Sequence, residues 1–251
     1  IEGTQTDVED VFKNAEDMSP EQRDDWAEVQ NYIQALNYAV ESLQTFPLSN
    51  RLLKEVHAIL LQGVRGETKL PGEFRTSQNW IGVSLKYAVF VPPHYERVPE
   101  LMSDLEKFLH NDSYYVAPLI KIAIAHYQFE TIHPFLDGNG RLGRLLIPLY
   151  LASEQILSKP ALYLSDYFER HKTAYVDHLM AVRQGNHLRE WILFFLQGVA
   201  ETAHSSITVF KNILQLKERI GREVLPRFSI RRQDNAQQVM CYLYRKPVID
   251  I

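Results

Sequence analysis

Apolar residues recur at helical spacing over most of the chain. A first run follows Ser19 and Pro20, a pair typical of an N-cap and a first helical position. Its large apolar side chains stand three or four residues apart, at Trp26, Val29, Ile33, Leu36, Val40 and Leu43. Ser49 opens a second run of this kind, and a third extends from about Pro99 to Phe108. Each run predicts an amphipathic helix.

The centre and the later part of the chain predict further helices. Residues 116–131 are apolar almost all round, as in a helix at the centre of a bundle. Residues 145–157 predict another buried helix despite Pro148. Residues 166–182 predict one more helix, and residues 187–223 predict one or two long ones.

Residues 65–98 interrupt this helical pattern with several prolines and glycines. Within them the β-prone runs NWIGV and AVFVP flank the polar stretch SLKY, a pattern that predicts a β-hairpin at about 80–91. We therefore predict an all-α fold, a helical bundle that carries one small β-hairpin.

Composition and charge narrow the class of protein. The chain has 251 residues, 45% of them hydrophobic, so it can bury a full core. A net charge of −4 argues against a broadly basic, nucleic-acid-coating surface. The single cysteine, Cys241, allows no internal disulfide and no thiolate metal site, which favours a reducing cytoplasm. The longest uncharged apolar stretches fall short of the ~20 residues that span a bilayer, and no signal peptide is recognisable.

The segment HPFLDGNGRLGR, residues 133–144, carries the candidate chemistry. Gly138, Asn139 and Gly140 lie where a loop enters a helix, so free main-chain N–H groups and the positive end of the helix dipole favour an anion there. The glycines allow close approach of the backbone, and the asparagine adds an amide donor. The segment therefore predicts a phosphate site.

Three further side chains extend this site. Arg141 and Arg144 are three residues apart on one helix face, which suits a polyphosphate. Asp137 would add unwanted negative charge unless it holds a hard cation such as Mg²⁺. His133 can take a proton from an incoming hydroxyl. Each residue alone also fits a capped turn, but two arginines at the positive end of a helix oppose its dipole by up to ~1 kcal/mol each and so call for an anion.

Two other residues are weighed in the same way. His126 lies on the apolar helix 116–131 and fits a satisfied core histidine better than a metal ligand. Arg75 leaves two readings open, since it could face a nucleotide or hold the hairpin in place.

Residues 133–144 resemble, at every position, the Fic-family signature His-x-Phe-x-Asp/Glu-Gly-Asn-Gly-Arg-x-x-Arg. Further stretches resemble the bacterial Fic group that carries an N-terminal inhibitory element: 1–4, 71–75, 79–82, 89–93 and 163–168. The resemblance covers most of residues 1–200. It implies a Fic-type helical bundle with a hairpin flap and a protein adenylyltransferase, which moves AMP from Mg-ATP to a hydroxyl of a target protein and releases pyrophosphate.

The resemblance also implies roles for single residues. His133 would be the base, Asp137 would hold Mg²⁺, and Arg144 would hold the γ-phosphate. The remaining phosphate contacts would come from Gly138, Asn139, Gly140 and Arg141. The flap that docks the target would use Trp80, Ile81, Gly82, Val89 and Phe90.

Two regions outside the signature take their interpretation from the same resemblance. Ile1-Glu2-Gly3 looks like the end of the family's inhibitory motif, so Glu2 is expected to inhibit the enzyme by pairing with Arg144. Tyr175 and Arg183 lie where the family places its contacts with adenine, but neither matches strongly.

We divide the chain into an N-terminal helical segment (1–48), a catalytic core (49–200) and a C-terminal helical segment (201–251). Residues 236–251 resemble the opening helix of a winged-helix DNA-binding module, but an ordinary packing helix is the interpretation that we favour for this stretch. Because the chain opens without methionine and ends without a polar tail, we expect it to be part of a longer protein. Self-modification, DNA binding through residues beyond 251 and a homodimer are further expectations.

Two alternatives stay open at this point. One is another transfer at the same site, either phosphotransfer or removal of AMP. The other is a nucleotide-sensing, DNA-linked regulator without catalysis, against which the complete set of catalytic residue types argues.

Overall fold

The computed structural model of the chain describes residues 19–158 and 162–244. Its helices are α1 Pro20–Ser42, α2 Asn50–Leu60, α3 Val98–Leu109, α4 Pro118–Ile132, α5 Asn139–Ser153, α6 Ser165–Arg170, α7 Lys172–Gly185, α8 Leu188–Arg219 and α9 Ile230–Leu243. Its strands are β1 Ile81–Gly82 and β2 Ala88–Phe90. The predicted all-α fold with a small hairpin is confirmed.

Helices α4 and α5 form the centre of the bundle. Residues such as Ile122 and Phe129 of α4 and Leu142 and Leu146 of α5 are fully buried. As predicted, α5 continues through Pro148, although proline cannot donate a helical hydrogen bond. The loop 133–138 joins these two helices, so the candidate chemistry rests on the most deeply buried part of the fold.

The first helices begin as their sequences predict. Ser49 caps α2 by accepting a hydrogen bond from the Leu52 N–H at 3.4 Å. Helix α2 then packs against α1, with Val56 and Leu60 fully buried. Helix α1 in turn reaches α5 and brings its side chains toward the 133–144 segment.

The later helices differ from the prediction in two ways. The single helix expected over 166–182 is two helices, α6 and α7, which meet at His171. The predicted boundary after residue 200 falls inside α8, which is continuous from Leu188 to Arg219. The buried residues of α8 lie before that boundary, and the Trp191 indole N–H donates to the Ala123 carbonyl at 2.9 Å and so fastens α8 to α4.

The hairpin is short and lies against the bundle. Ile81 pairs with Phe90 and Gly82 with Ala88, with one irregularity in the register. Along β2 the side chains alternate, so Val89 is 56% exposed while Phe90 is half-buried. None of the helices in the described ranges is long and apolar enough to cross a membrane.

Candidate functional site

His133 ends α4 in a left-handed conformation. Its φ is 49° and its N–H donates to the Phe129 carbonyl at 2.9 Å. A left-handed conformation costs a non-glycine residue on the order of 1–2 kcal/mol, so neighbouring contacts must maintain it. The His133 carbonyl accepts hydrogen bonds from Arg75 Nε at 3.0 Å and from Asn79 Nδ2 at 3.4 Å.

Arg75 is a buried clamp for this loop. Its side chain is 2% exposed, and besides His133 it donates to the carbonyls of Ile132, Ser77 and Pro93. Its own N–H donates to the Pro134 carbonyl at 2.8 Å. Of the two readings left open by the sequence, the structure supports the one in which Arg75 holds the loop and the flap in place.

The His133 imidazole is neutral at neutral pH. Its side chain is 19% exposed, and Nδ1 lies 4.0 Å from the buried Glu130 carboxylate. Burial lowers its pKa to about 4; Arg183 and Arg75 lower it further, whereas the Glu130 carbonyl and Asp137 oppose the shift. A neutral imidazole has the lone pair that a general base needs.

The N-terminus of α5 is shaped by Gly138 and Asn139. Gly138 is the N-cap with a φ of 73°, and a Cβ on it would lie 3.2 Å from Leu61 and 3.3 Å from His57. The Asn139 side chain accepts from the Phe135 N–H at 2.9 Å and donates to the Phe135 carbonyl at 2.8 Å. One N–H of this amide thus shapes the loop, and the second N–H is the one that could donate to an anion, so the predicted contact stays a prediction. The first-turn N–H groups, including those of Asn139 and Gly140, have no acceptor within the helix.

Arg141 is a buried cation that forms no hydrogen bond with the residues that the structure describes. It is 1% exposed, and Nε, Nη1 and Nη2 have no hydrogen-bond partner in the described part of the chain. Its nearest charges are Glu28 at 3.5 Å and Asp137 at 3.7 Å. Nη2 of Arg144, one helical turn later, is also buried without such a partner among the described residues. Each unsatisfied buried donor costs ~1–3 kcal/mol, so the site is prepared for an oxygen-rich anion.

Asp137 offers one hard oxygen beside this cation. Its Oδ1 accepts from the Gly138 N–H at 2.6 Å, and the side chain is 30% exposed. A Cβ on Gly66 would lie 3.0 Å from Oδ2, so the glycine leaves room at the carboxylate. In the described residues no group of three or more metal-ligating side chains occurs. This single carboxylate fits Mg²⁺, which commonly takes one or two carboxylates together with substrate phosphates.

His57 positions Asp137, a role that could not be predicted from the sequence. The ring is fully buried and stacks on Phe135 at 3.8 Å. Nδ1 accepts from the Gly72 N–H at 2.9 Å, so Nε2 carries the proton that it donates to the Asp137 carbonyl at 2.9 Å. Burial lowers the pKa of His57 to about 4. A polar residue on the apolar face of α2 was the available signal, but nothing in the sequence linked it to residue 137.

His126 is the core histidine that the sequence indicated. Nδ1–H donates to the Gly143 carbonyl at 2.9 Å, which leaves Nε2 to accept from the Tyr175 hydroxyl at 3.0 Å. Burial lowers the pKa of His126 to about 4. The rings of Phe168 and Trp191 surround it. Tyr175 therefore uses its hydroxyl inside this aromatic cluster.

The three buried histidines predict a loss of stability in acid. The pKa values of His57, His126 and His133 are about 4 in the folded chain and ~6.5 when unfolded. The unfolded chain therefore binds more protons between these values, and the free energy of unfolding falls as the pH drops from about 6.5 toward 4. Each histidine contributes up to ~1.4 kcal/mol per pH unit.

Denaturant titrations at pH 8, 7, 6 and 5 measure this effect. The free energy of unfolding should be nearly flat between pH 8 and 7 and should decline from 7 to 5. In His57→Gln the decline should be shallower by about one proton. Equal stability of the wild type at pH 7 and 5 would contradict the assignment of neutral buried rings.

The structure brings the flap to the same loop. Asn79, just before β1, donates to the carbonyls of His133 and Phe135. Phe90 of β2 lies under the Arg183 guanidinium at 3.7 Å. Trp80 is 43% exposed, which leaves it open to a partner. The predicted base, cation ligand, phosphate contacts and flap thus lie around one loop, whereas Glu2 lies outside the described residues.

Family models match both parts of the chain. Residues 47–151 match the Fic/DOC family, and residues 1–41 match the Fic/DOC family N-terminal region. The chain is 28% identical over 156 residues to "Protein adenylyltransferase Fic" of Aedes aegypti, covering 62% of this chain and 29% of that protein. It is 38% identical over 81 residues to "Protein adenylyltransferase fic-1" of Caenorhabditis elegans. This match covers 32% of this chain and 15% of that protein. The chain thus spans less than a third of these relatives.

Solved structures of other proteins have the same fold as this chain. A Fic family protein from Desulfovibrio desulfuricans G20 superposes with a TM-score of 0.66 at 26% identity, over 83% of this chain and 61% of that one. Fic-1 of Caenorhabditis elegans superposes with a TM-score of 0.63 at 22% identity, over 84% of this chain and 60% of that one. At this identity the likeness shows a shared fold and nothing more. Both family models match the chain, the fold agrees with a solved Fic family protein, and residues 133–144 match the family signature at every position. The chain therefore belongs to the Fic/DOC family.

Proposed function

We propose that the chain is a protein adenylyltransferase, which moves AMP from Mg-ATP to a Ser, Thr or Tyr hydroxyl of a target protein. The observation that carries this proposal is Arg141, a buried guanidinium without hydrogen bonds to the described residues, at the N-terminus of the helix that follows His133. The names of the relatives, protein adenylyltransferases, support the same reaction.

The phosphates of ATP would be held at the start of α5. The main-chain N–H groups of Asn139 and Gly140 and the guanidinium groups of Arg141 and Arg144 would supply donors and positive charge, while the Gly138 N–H already donates to Asp137. The Asp137 carboxylate would hold Mg²⁺, which when bound offsets the negative charge of the phosphates.

His133 supplies the base. The neutral imidazole takes the proton of the target hydroxyl while that oxygen forms a bond to the α-phosphorus. The bond from the α-phosphorus to the bridging oxygen breaks, and pyrophosphate leaves with the electron pair. His133 then returns its proton to solvent. The clamp of Arg75 and Asn79 on the His133 carbonyl keeps the ring at the end of α4.

The flap would dock the target as an extended segment that pairs with main-chain groups along the hairpin. Its solvent side is apolar, with Val89, Val91 and Trp80 each about half exposed. A segment with apolar side chains near the modified hydroxyl fits this surface. Self-modification, a homodimer, a cytoplasmic location and a DNA-binding module beyond residue 251 stay predictions.

Intact-mass spectrometry after incubation with Mg-ATP and a protein extract tests the proposed reaction. AMP transfer adds adenosine monophosphate to a protein, phosphotransfer adds only phosphate, and removal of AMP lowers the mass of a premodified target. A nucleotide sensor changes no mass. Only the first outcome supports the proposal.

Glu2 is proposed as a built-in inhibitor. Arg144 lies close enough to Tyr32 of α1 for its positive charge to oppose the rise in the Tyr32 pKa that burial causes. A carboxylate paired with Arg144 would take donors that should hold the γ-phosphate and would leave the α-phosphorus misaligned for attack. Coupling of this kind typically changes activity by roughly 5- to 150-fold, so Glu2→Gly should raise AMP transfer by that factor.

Rates of wild type, Glu2→Gly and Glu2→Gly/His133→Ala at saturating Mg-ATP measure the inhibition. The double variant should lose the activity that Glu2→Gly gains. Equal rates for wild type and Glu2→Gly would show that Glu2 does not inhibit.

A further inference from the structure

Arg183 of α7 contacts three separate elements around His133. Its guanidinium lies 3.7 Å from the centroid of the Phe90 ring in β2. Nη2 donates to the Glu130 carbonyl at 3.1 Å and Nε donates to the Thr131 hydroxyl at 3.2 Å, both in the last turn of α4. One side chain thus joins α7, the flap and the helix end that carries the base.

The partners of Arg183 show which face of the flap it holds. Phe90 is half-buried on the inner face of β2, whereas the neighbouring Val89 points outward and is 56% exposed. Burial lowers the pKa of Arg183, but an arginine stays charged in proteins. A cation–π contact is stronger in such a partly desolvated place than at an open surface.

We propose that Arg183 is a positioning residue that fastens the flap, residues 80–91, to the last turn of α4 and so fixes the docked target relative to His133. The consequence for activity rests on the proposed AMP transfer, whereas the fastening itself does not. The Nε and Nη2 donors of Arg183 are already used by α4, so this role accounts for its contacts without a bound adenine.

The same charge acts on the base. Arg183 and Arg75 disfavour protonation of His133, while the hydrogen bond to the Glu130 carbonyl and the charge of Asp137 favour it. Removing the Arg183 charge should therefore raise the pKa of His133. The acid limb of the pH profile for AMP transfer should then move to higher pH, because the protonated ring is no base.

Amide hydrogen exchange of the ligand-free protein tests the fastening. Arg183→Met and Phe90→Leu should each speed exchange in the flap by roughly 3- to 30-fold, the range expected for a lost cation–π contact. Arg189→Met, a change at an exposed residue of α8, is the matched control and should exchange like the wild type. The Arg183→Met/Phe90→Leu double variant should exchange no faster than the faster single variant, since both remove one contact.

The histidine titration separates fastening from charge. By NMR, the pKa of His133 should rise in Arg183→Met, stay unchanged in Phe90→Leu and stay low in Arg183→Lys, which keeps the positive charge. In Arg183→Lys the flap should exchange at a rate between those of wild type and Arg183→Met. The proposal is supported if the pKa of His133 changes with the charge at position 183 and does not change with the exchange rate of the flap.

Three results would overturn the proposal. The first is a flap that exchanges at the wild-type rate in a folded Arg183→Met variant. The second is a double variant in which the two increases in exchange rate are fully additive. The third is a flap that exchanges at the wild-type rate in Phe90→Leu, and this result decides if Arg183→Met does not fold. Amide exchange and the NMR titration of His133 need no catalytic turnover. If the wild type did not transfer AMP, the proposed reaction would be refuted, but both measurements would still test the fastening of the flap.

Discussion

Replacing His133 with alanine should lower AMP transfer by about 10²- to 10⁴-fold while ATP affinity stays nearly unchanged, which is the usual contribution of a general base. The imidazole lies before the proposed phosphate site and does not build it, since the donors proposed to bind phosphate belong to residues 138–144. Burial keeps the ring neutral, with a pKa of about 4, so it can accept a proton across the neutral range. Single-turnover transfer at saturating Mg-ATP measures the loss.

The backbone at His133 calls for a second variant. Its φ of 49° is unfavourable for alanine, so His133→Ala also perturbs the end of α4. Asparagine tolerates the left-handed region better and also lacks a basic nitrogen. His133→Asn should therefore retain more of the wild-type stability and lose as much transfer as the alanine variant. A wild-type transfer rate in His133→Asn would rule out His133 as the base.

Replacing Arg141 with alanine should weaken Mg-ATP binding by roughly 10²-fold or more. Charge-assisted hydrogen bonds contribute ~1.5–3 kcal/mol each, and the three nitrogens of this buried guanidinium, which form no hydrogen bond with the described residues, allow at least two of them. Calorimetric titration with and without Mg²⁺ measures the affinity. In Asp137→Ala, the Mg²⁺ dependence itself should disappear.

Loss of the Arg141 charge also affects the fold. Glu28, 8% exposed, would lose the cation that lies 3.5 Å away but would keep Arg65 at 3.8 Å, so Arg141→Ala should be less stable than the wild type because it weakens a buried ion pair. Arg141→Lys keeps a positive charge but cannot form a bidentate fork. It should stay folded and bind Mg-ATP with intermediate affinity. Unchanged affinity and unchanged Mg²⁺ dependence in folded Arg141→Lys and Asp137→Ala would contradict a polyphosphate site.

Much of the fold could be predicted from the sequence because its signals are local. Helix α2 has a capping residue, Ser49, and both α1 and α2 have a regular apolar spacing. The division between α6 and α7 could not be predicted, because the chain turns at His171 with φ −113° and ψ 32°, at a residue type that gives no helix-breaking signal. Packing of Tyr167 and Phe168 into the core accompanies that turn.

Part of the candidate site could likewise be predicted from the sequence, and part of it could not. Residues 133–144 are contiguous, so their spacing alone places a histidine, a carboxylate and two arginines around one helix start. His57, Arg75 and Arg183 come from distant parts of the chain, and their partners in the loop and the flap are set by tertiary packing. Asn139 shows the limit even inside the segment, because the sequence did not predict that its amide also bonds the Phe135 backbone and shapes the loop.

Transfer of label from ATP to protein tests the proposed reaction most directly. Glu2→Gly and Glu2→Gly/His133→Asn are incubated with a protein extract, Mg²⁺ and ATP that is labelled at either the α- or the γ-phosphate. An adenylyltransferase puts label on protein from the α-position only, and the His133→Asn change abolishes it. Protein-bound label from the γ-position alone, or no enzyme-dependent label from either position, would contradict AMP transfer.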